Sequence, residues 1–369
     1  MRQLGGESAI SRRRLRQSIF MISVIIPAYN AAGFLPACLA ALRQQTHPPD
    51  EIIVVDDGST DSTAEAAQAL GARVISILHS GPAAARNAGI QAARGNVVMF
   101  TDADCQPTPE WAAELARSLS DPGVSGVKGT YLTHQREVVA RLAQCEFEER
   151  YALLERSVVI DFVDSHSAAF RVAVLRQMGG FDPAFPQANN EDVDLSYRLS
   201  QAGYKLVFNR RATVCHHHRS GWWDYLRLKA SRGYWRMIVY RLHPNKALRD
   251  SYTPQSLKAQ IVLAGLAGLM TGLSAIWPPM FWGVTACLGV LLMTAIPFMK
   301  LVASKDPRLL PWTPLFVVGR ALAFLVGVVG GAIGMFFFRP ARTGLDHTSG
   351  PTRDFAAITD EAAHGPRHS

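Results

Sequence analysis

The sequence is short of charged residues, and it lacks the cysteine pattern of a secreted disulfide scaffold. Asp, Glu, Lys and Arg make up 18% of the 369 residues, below the roughly 25% that is usual in soluble domains. Hydrophobic residues make up 48%, so we expect part of the chain to lie in lipid, and disorder along its whole length is excluded. The cysteines are odd in number and scattered, which favours a reducing cytosolic setting. They are Cys38, Cys105, Cys145, Cys215 and Cys287.

The first 20 residues lack an apolar run, although Arg12–Arg14 and Arg16 make them basic. A secretory signal peptide needs an apolar segment after its charged start, so we expect residues 1–20 to be a basic arm that is disordered or contacts anionic lipid. The polar tail at 339–369 is also expected to be disordered. The net charge of +8 would suit nucleic acid, but the arginines cluster beside apolar segments, so membrane phosphates are the expected partner and nucleic acid is not.

Residues 21–220 alternate between short apolar runs, such as 24–26, 52–55 and 97–100, and Ala- and Leu-rich stretches of helical length. This alternation predicts an α/β domain whose mostly parallel sheet is covered by helices on both faces. In such sheets ligands bind beyond the carboxyl ends of the strands. No Gly-x-Gly-x-x-Gly follows the first run, which argues against a dinucleotide-dependent oxidoreductase.

Residues 221–258 are rich in His, Arg, Trp and Tyr. Aromatic residues at headgroup depth and arginines that reach phosphates are typical of an amphipathic segment at a membrane interface. A basic helix packed on the surface of the domain is the alternative, and the composition does not separate the two.

Residues 259–338 contain three long apolar segments, at 259–277, 280–299 and 315–338. Each approaches the roughly 20 residues that cross a bilayer, so we expect two or three transmembrane or re-entrant helices. Basic residues before the first segment and in the 300–314 link place the large domain and this link in the cytoplasm. A third crossing would put Arg339 and Arg342 outside, which favours a re-entrant third segment or a shallow hairpin of the first two. Arg320 could snorkel to the cytoplasmic side.

Polar groups with binding chemistry follow the first two apolar runs. Tyr29 and Asn30 offer a flat ring and an amide, which a nucleobase or ribose would use, although Asn after a strand is often only a turn residue. Asp56 and Asp57 accept hydrogen bonds and suit a ring N–H or ribose hydroxyls. Arg86, in a helix of small residues, could reach a phosphate.

Acidic residues and histidines supply the candidates for metal binding and catalysis. Asp102 and Asp104 follow the third run, and hard oxygen ligands suit Mg²⁺ or Mn²⁺ bridging a diphosphate. One imidazole of His216–His218 could complete the shell, with a polar surface turn as the alternative. Glu191 and Asp192 open an amphipathic helix, where acidic residues also suit the helix dipole. The dipole is expected to lower the pKa of Asp192, which could still act as a general base.

Taken in order, six short stretches within residues 22–220 resemble those of the family 2 glycosyltransferases, which have the GT-A nucleotide-sugar-binding fold. They are Val-Ile-Ile-Pro-Ala-Tyr-Asn, Val-Val-Asp-Asp-Gly-Ser-Thr-Asp, Ala-Arg-Asn-Ala-Gly, Thr-Asp-Ala-Asp, Gly-Gly-Phe-Asp and Glu-Asp-Val-Asp-Leu-Ser-Tyr-Arg-Leu. Any one of them is a weak signal, whereas six in this order are specific. The resemblance implies a GT-A domain followed by membrane helices.

The resemblance also implies roles for the donor-side residues. Those that would hold the nucleoside are Pro27, Ala28, Tyr29, Asn30 and Asp57. Arg86 would lie near the diphosphate, and Asp102 would contact the ribose or the sugar. Asp104 would bind the divalent metal, with His216 or else His218 as a further ligand.

The resemblance also implies a catalytic role for Asp192, which lies beside Glu191. Asp192 would deprotonate an acceptor hydroxyl for inverting, in-line attack on the sugar. The expected function is transfer from a nucleotide-diphosphate sugar to a membrane-associated glycan or lipid-linked acceptor, by an enzyme of the inner (plasma) membrane whose catalytic domain is cytoplasmic. A polyprenyl-phosphate glycosyltransferase and a non-catalytic nucleotide-sugar-binding scaffold stay open. The Gln-x-x-Arg-Trp of processive synthases is not present, and residues 229–235 only loosely resemble it.

Overall fold

The computed structural model describes residues 20–186 and 190–338. The basic arm predicted for 1–20, apart from Phe20, and the tail predicted for 339–369 lie outside the described residues, as do Arg339 and Arg342. Within the described ranges, eight strands form one sheet in the order β3-β2-β1-β4-β7-β6-β8-β5. Their bounds are β1 Ile22–Ala28, β2 Glu51–Asp56, β3 Arg73–Ser76, β4 Val97–Thr101, β5 Cys105–Pro107, β6 Val124–Leu132, β7 Ser167–Arg171 and β8 Lys205–His216.

The sheet has a parallel half and a mixed half. Strands β1 to β4 pair in parallel, and their central residues, including Val24, Val54 and Val98, are buried. Strand β7 is antiparallel to both β4 and β6, and β5 is antiparallel to β8, whereas β6 and β8 are parallel. The predicted α/β class is confirmed. The apolar runs predicted the parallel half, but the antiparallel pairings carried no such signal.

Seven helices surround the sheet in the described part of the chain. They are α1 Leu35–Arg43, α2 Thr63–Ala69, α3 Pro82–Ala92, α4 Trp111–Leu119, α5 Val138–Leu154, α6 Val172–Gln177 and α7 Glu191–Gln201. In α4, Trp111, Leu115 and Leu119 recur every four residues and are fully buried. This spacing gives the helix the apolar face that packs on the sheet.

Five further α-helices follow the sheet domain in the described residues. They are α8 Trp222–Leu242, α9 Gln255–Ser274, α10 Met280–Thr294, α11 Ile296–Lys305 and α12 Thr313–Gly334. Helix α9 and the run Pro307–Gly334 are long and apolar enough to cross a bilayer, and α10 with α11 would add a third span if this pair, bent by 46°, counts as one. The bend falls in the second apolar segment, where Pro297 lacks a backbone N–H, whereas the third segment forms an unbroken helix.

Residues 221–258 were expected to form either a segment at the membrane surface or a helix packed on the domain. Helix α8, which lies in this segment, has a buried face. Its Ile238 and Val239 belong to the core of the sheet domain. Its Tyr225 stacks on Phe316 of α12, with ring centroids 4.7 Å apart. Helix α8 therefore connects the sheet domain to the apolar helices.

A buried ionic cluster joins the same two parts of the molecule. Glu146 of α5 accepts hydrogen bonds from Lys229 of α8 at 2.6 Å and from Arg320 of α12 at 2.9 Å. Arg320 also donates to Gln260 of α9 at 2.8 Å. Arg320 is 2% exposed, so it does not reach solvent, as the predicted snorkelling to the cytoplasmic side would require: a carboxylate inside the molecule satisfies its charge.

The 300–314 link lies against the sheet domain. Asp306 forms an ion pair with Arg141 of α5, and Lys305 lies 3.6 Å from a carboxylate oxygen of Glu148 on the same helix. The link and the domain therefore occupy the same end of the apolar helices.

Candidate active site

The parallel half of the sheet brings several predicted site residues to one edge. Strands β1, β2 and β4 are neighbours and end at Ala28, Asp56 and Thr101. Because parallel neighbours end on the same side, the residues that follow them, Tyr29 and Asp102 among them, lie at that edge.

The residues predicted to hold a nucleoside are mostly engaged in holding this edge together. Asp57 is buried and accepts hydrogen bonds from the backbone N–H groups of Ser80 at 2.7 Å and Gly81 at 2.9 Å. The side-chain oxygen of Asn30 accepts from the backbone N–H of Thr60 at 2.8 Å. Pro27 and Ala28 are part of β1 itself.

Tyr29 and Asn30 are the exposed members of this set, and Tyr29 offers an open aromatic surface. Its side chain is 48% exposed, and its ring centroid lies 4.3 Å from that of His79. His79 in turn contacts the Asp57 carboxylate at 3.1 Å. An aromatic pair backed by a buried carboxylate is suited to stack on and hydrogen-bond a nucleobase.

The predicted metal ligands come from two segments that pair across the sheet. Because β5 pairs with β8, placing Cys105 opposite His216, His216 Nε2 lies 3.5 Å from Asp104 Oδ2. His216 Nδ1 lies 3.0 Å from His218 Nδ1, so one histidine supports the other. Donor atoms of Asp104, Cys105 and His216 lie within 4.8 Å of one another.

Cys105 is a site residue that the sequence analysis missed. Burial, aided by the charges of Asp102 and Asp104, raises the pKa of its thiol well above the ordinary value, and its soft sulfur is not the donor that Mg²⁺ or Mn²⁺ prefers. The carboxylate of Asp104 and the imidazole of His216 are donors that Mn²⁺ accepts. The donor set therefore fits a hard or borderline divalent cation.

Arg86 links the end of β4 to the start of α7. It is 2% exposed and donates to Asp102 at 3.1 Å and to Glu191 at 2.7 Å. Two carboxylates thus satisfy the guanidinium that was predicted to lie near a diphosphate. In this arrangement Arg86 positions Asp102 and Glu191.

The acidic pair at the start of α7 is less acidic than ordinary carboxyl groups. Burial, and then the charge of Asp192, raises the pKa of Glu191 to about 7, although Arg86 opposes the shift. Burial also raises the pKa of Asp192, against the opposing charge of Arg86. The prediction that the helix dipole lowers the pKa of Asp192 is therefore wrong, because loss of solvent has the larger effect.

One cavity of about 650 Å³ brings most of these residues together. The predicted site residues that line it are Arg86, Asp102, Asp104, Glu191, Asp192, His216 and His218. The nucleoside set at 27–30 and Asp57 do not line this cavity. The predicted metal and catalytic residues thus converge on one space, while the nucleoside set lies elsewhere on the same sheet edge.

Comparison with known proteins identifies the sheet domain. Residues 23–179 match the sequence model of the family described as Glycosyl transferase family 2. The chain carries a family 2 glycosyltransferase domain. The family and the GT-A fold implied by the six sequence stretches are confirmed.

Relatives of the family 2 domain occur in bacteria and archaea. The pre-mycofactocin glycosyltransferase of Mycobacterium tuberculosis (strain ATCC 25618 / H37Rv) is 32% identical over 259 residues, which cover 67% of this chain and 53% of that protein. Glycosyltransferase AglE of Haloferax volcanii is 30% identical over 208 residues, which cover 53% of this chain and 66% of that protein. The chain therefore spans about half to two thirds of the length of these relatives.

A solved structure shares the fold beyond the family 2 domain. Mannosyltransferase PcManGT from Pyrobaculum calidifontis, solved in complex with GDP-Man and Mn²⁺, superposes with a TM-score of 0.53 at 19% identity. The superposition covers 89% of this chain and 93% of that protein. The shared architecture therefore includes helices that follow residue 179.

The family 2 domain has an aromatic wall that the sequence analysis missed. Tyr131 of β6 stacks on His166, with ring centroids 3.3 Å apart and planes 11° apart. The ring centroid of His216 lies 4.4 Å from that of Tyr131. No local pattern marks these residues, because 35 positions of chain separate Tyr131 from His166.

The cavity of the family 2 domain also has a basic wall, which α5, α8 and Arg219 in the segment before α8 supply. Its members are Arg150, Arg219, Lys229, Arg232 and Arg236. The sequence offered only a weak signal for Lys229 and Arg232, in the stretch that loosely resembles the processive motif. Basic and acidic side chains therefore line the same cavity.

Proposed function

We propose that the protein transfers a sugar from a nucleotide-diphosphate sugar to a hydroxyl group of a membrane-associated glycan or lipid-linked acceptor. The observation that carries this proposal is the convergence of Asp102, Asp104 and Asp192 on one cavity of about 650 Å³. A cavity of this size is in the usual range for small-molecule sites. The names of the two relatives, both glycosyltransferases, support the same reaction class.

The donor would bind along the edge of the sheet. Tyr29, with His79 beneath it, would stack on the base, and Asp102, held by Arg86, would contact the ribose or the sugar. A divalent cation, Mn²⁺ or Mg²⁺, would be held by Asp104 and His216, with His218 fixing the His216 ring. When bound, such a cation neutralises the charge that develops on the departing diphosphate.

Asp192 would act as the general base. It would accept the proton of the acceptor hydroxyl while the hydroxyl oxygen forms a bond to the anomeric carbon of the sugar. The bond from that carbon to the diphosphate oxygen breaks, and its electron pair leaves with the diphosphate. Attack from the face opposite the leaving group inverts the anomeric centre. The raised pKa of Asp192 suits this task, because it makes the carboxylate a stronger base than an exposed aspartate.

We further propose that the catalytic domain lies on the cytoplasmic side of the inner (plasma) membrane. The support is twofold. Lys300, Lys305 and Arg308 make the link between the second and third apolar segments basic, and basic links favour the cytoplasm. The same link contacts α5 of the domain through Asp306 and Lys305, so both would lie on one side.

Replacement of Asp104 tests the metal role. We expect Asp104→Ala to lower Mn²⁺-dependent transfer by about 100-fold or more without lowering the unfolding midpoint, whereas Glu65→Ala, an exposed change on α2, should match the wild type. Transfer from a panel of nucleotide sugars is measured with Mn²⁺ and again after chelation. Near-normal turnover of Asp104→Ala would reject the assignment.

Replacement of Asp192 tests the base and separates two acceptor classes. We expect Asp192→Asn to lower kcat by about 100-fold or more while donor affinity changes little, since the lost interaction belongs to the transition state. A lipid monophosphate acceptor is already ionised and needs no base, so full activity of this variant would favour a polyprenyl-phosphate glycosyltransferase. Donor binding without any turnover in the wild type would favour a scaffold.

A further inference from the structure

The catalytic cavity meets a second cavity on the side of the apolar helices. This second cavity has a volume of about 190 Å³ and lies between α8, α9 and α12. Four residues line both cavities: Arg150, Arg236, Tyr252 and Phe324. The two cavities are therefore adjacent, and these four residues form the junction between them.

The second cavity is mostly apolar. Its apolar lining includes Met237, Leu257, Ile261, Phe324 and Val328. Two of its three helices, α9 and α12, are the ones long and apolar enough to cross a bilayer. Hydrocarbon is the ligand chemistry that such a lining favours.

The junction has the opposite character, because two guanidinium groups lie there and no described carboxylate is in ion-pair contact with either. Glu146 and Glu149 act on Arg150, and Asp250 and Asp192 act on Arg236, only from a longer distance. Arg150 is 7% exposed and forms neither a hydrogen bond nor an ion pair within the described residues. It lies instead between the rings of Phe147 and Tyr252, at 5.6 and 5.1 Å from their centroids. Arg236 donates to the hydroxyl of Tyr197 at 3.3 Å and forms no ion pair with a described carboxylate.

Other buried cations of this molecule are compensated. Arg86 contacts two carboxylates, and Lys229 and Arg320 share Glu146. A buried charge that no opposite charge contacts is costly. The two junction arginines therefore indicate an anionic ligand, and guanidinium groups match the oxygens of a phosphate in pairs.

We propose that the junction binds the phosphate of a lipid-linked acceptor through Arg150 and Arg236, and that the apolar cavity holds the first part of its hydrocarbon chain. This inference rests on the proposed function, since it names the acceptor class of the same site. Asp192 and Arg236 line the same cavity, so a sugar attached to this phosphate would present its hydroxyl on the side of the base. The acceptor enters from the bilayer, and the donor enters from the sheet edge.

Binding without donor tests the proposal. The full chain is placed in nanodiscs of zwitterionic phosphatidylcholine, and three probes are titrated: a polyprenyl monophosphate, the alcohol of the same chain length, and inorganic phosphate. We expect the prenyl phosphate to bind at least about tenfold more tightly than either of the others, because only it carries both groups. Arg150→Gln and Arg236→Gln should each weaken its binding by about tenfold and leave the alcohol unchanged.

Matched variants serve as controls for the binding experiment. Arg227→Gln, an exposed change on the same helix as Arg236, should bind all three probes as the wild type does. Arg150→Lys, which keeps the charge, should retain part of the affinity. Should Arg150→Gln not fold, Arg236→Gln gives the same reading.

Three outcomes would overturn the proposal. The first is equal binding of the alcohol and the prenyl phosphate, and the second is equal binding of inorganic phosphate and the prenyl phosphate. The third is weaker binding of a nucleotide sugar with Mn²⁺ by Arg150→Gln, which would assign this arginine to the donor. If the lipid pattern holds but no sugar is transferred to any acceptor, the proposed function fails and the lipid site stands.

Discussion

Glu191 is a carboxyl group whose surroundings act on its pKa in opposite directions. Burial and the neighbouring Asp192 favour the neutral form, whereas Arg86 favours the charged form, and the pKa is raised to about 7. One of its oxygens contacts Arg86, and the other is buried without a hydrogen-bond partner among the described residues. A group in this position makes the stability of the fold depend on pH.

We expect this glutamate to destabilise the fold as the pH rises from about 5 to about 8. In the unfolded chain the carboxyl ionises near its ordinary value of 4.5, so between that pH and 7 the unfolded state has released a proton that the folded state still holds. Stability therefore falls with rising pH in this window, by on the order of 2–3 kcal/mol. Unfolding midpoints in detergent at pH 5 and pH 8 measure the fall.

Glu191→Gln should reduce that fall, because the amide stays neutral at both pH values. Part of the slope should remain, since burial raises the pKa of Asp192 as well. Glu65→Gln, at an exposed position of α2, serves as the control and should keep the full wild-type slope. If the unfolding midpoints of Glu191→Gln and the wild type fell equally with rising pH, Glu191 would not be the source of the pH dependence.

Single residues of the site differ in how far the sequence predicted them. Asp102, Asp104 and Asp192 were found because strand ends and helix starts are marked locally, by an apolar run or an amphipathic pattern. The contact between Arg86 and Glu191 joins positions 105 residues apart, and no local pattern marks such a pair. The environment of Asp192 was misjudged for the same reason, because burial depends on segments distant in the chain.

The seam between α8 and α12 shows how glycines let two helices approach closely. A Cβ atom at Gly327 would lie 1.9 Å from the carbonyl oxygen of Ala230, whereas one at Gly330 would lie 3.6 Å from the ring of Tyr234. The first distance is a clash with backbone, and the second is ordinary van der Waals contact. The two glycines are on one helix but differ in what they face.

We therefore expect opposite effects from two identical substitutions in α12. Gly327→Ala should lower the unfolding midpoint in detergent, because α8 and α12 must move apart. Gly330→Ala should leave it unchanged or raise it, since alanine favours helix over glycine by up to about 1 kcal/mol. Equal effects of the two changes would show that the seam does not depend on close backbone contact.

Among the strands, periodicity predicted those that are apolar throughout and missed those that are not. Strands β1, β2 and β4 carry runs of Val and Ile, whereas β6 contains Lys128 within a buried stretch. Its ammonium group is paired with Asp164 from a distant loop, so the strand is buried although its sequence looks polar. A sequence pattern cannot identify such a buried strand, because the residue that neutralises its charge lies far away in the chain.

At the scale of the whole molecule, the family 2 domain and the apolar helices are joined by a shared carboxylate. Glu146 is 1% exposed and contacts Lys229 and Arg320, which come from the two helices of the seam. Burial by itself would raise the pKa of Glu146, but these two cations outweigh it and lower that pKa. The carboxylate therefore stays charged, and the joint between the two parts depends on it.

Replacing this carboxylate should loosen the whole molecule rather than one site. Glu146→Gln would leave two buried cations without a counterion, and losing one partner of a buried ion pair typically costs about 3–5 kcal/mol. Glu155→Gln, just after α5, is the control. It removes an exposed ion pair with Arg210, in which the charged atoms are 3.2 Å apart and the side chains of Glu155 and Arg210 are 45% and 42% exposed. This change should lower the free energy of unfolding by less than about 1 kcal/mol. Unfolding midpoints in detergent and hydrogen exchange along α8 and α12 measure both variants. We expect faster hydrogen exchange in α8 and α12 for Glu146→Gln but not for Glu155→Gln, because Glu146 holds these two helices against the domain. If the two variants behave alike, the domain is held to the helices by apolar packing and not by this charge.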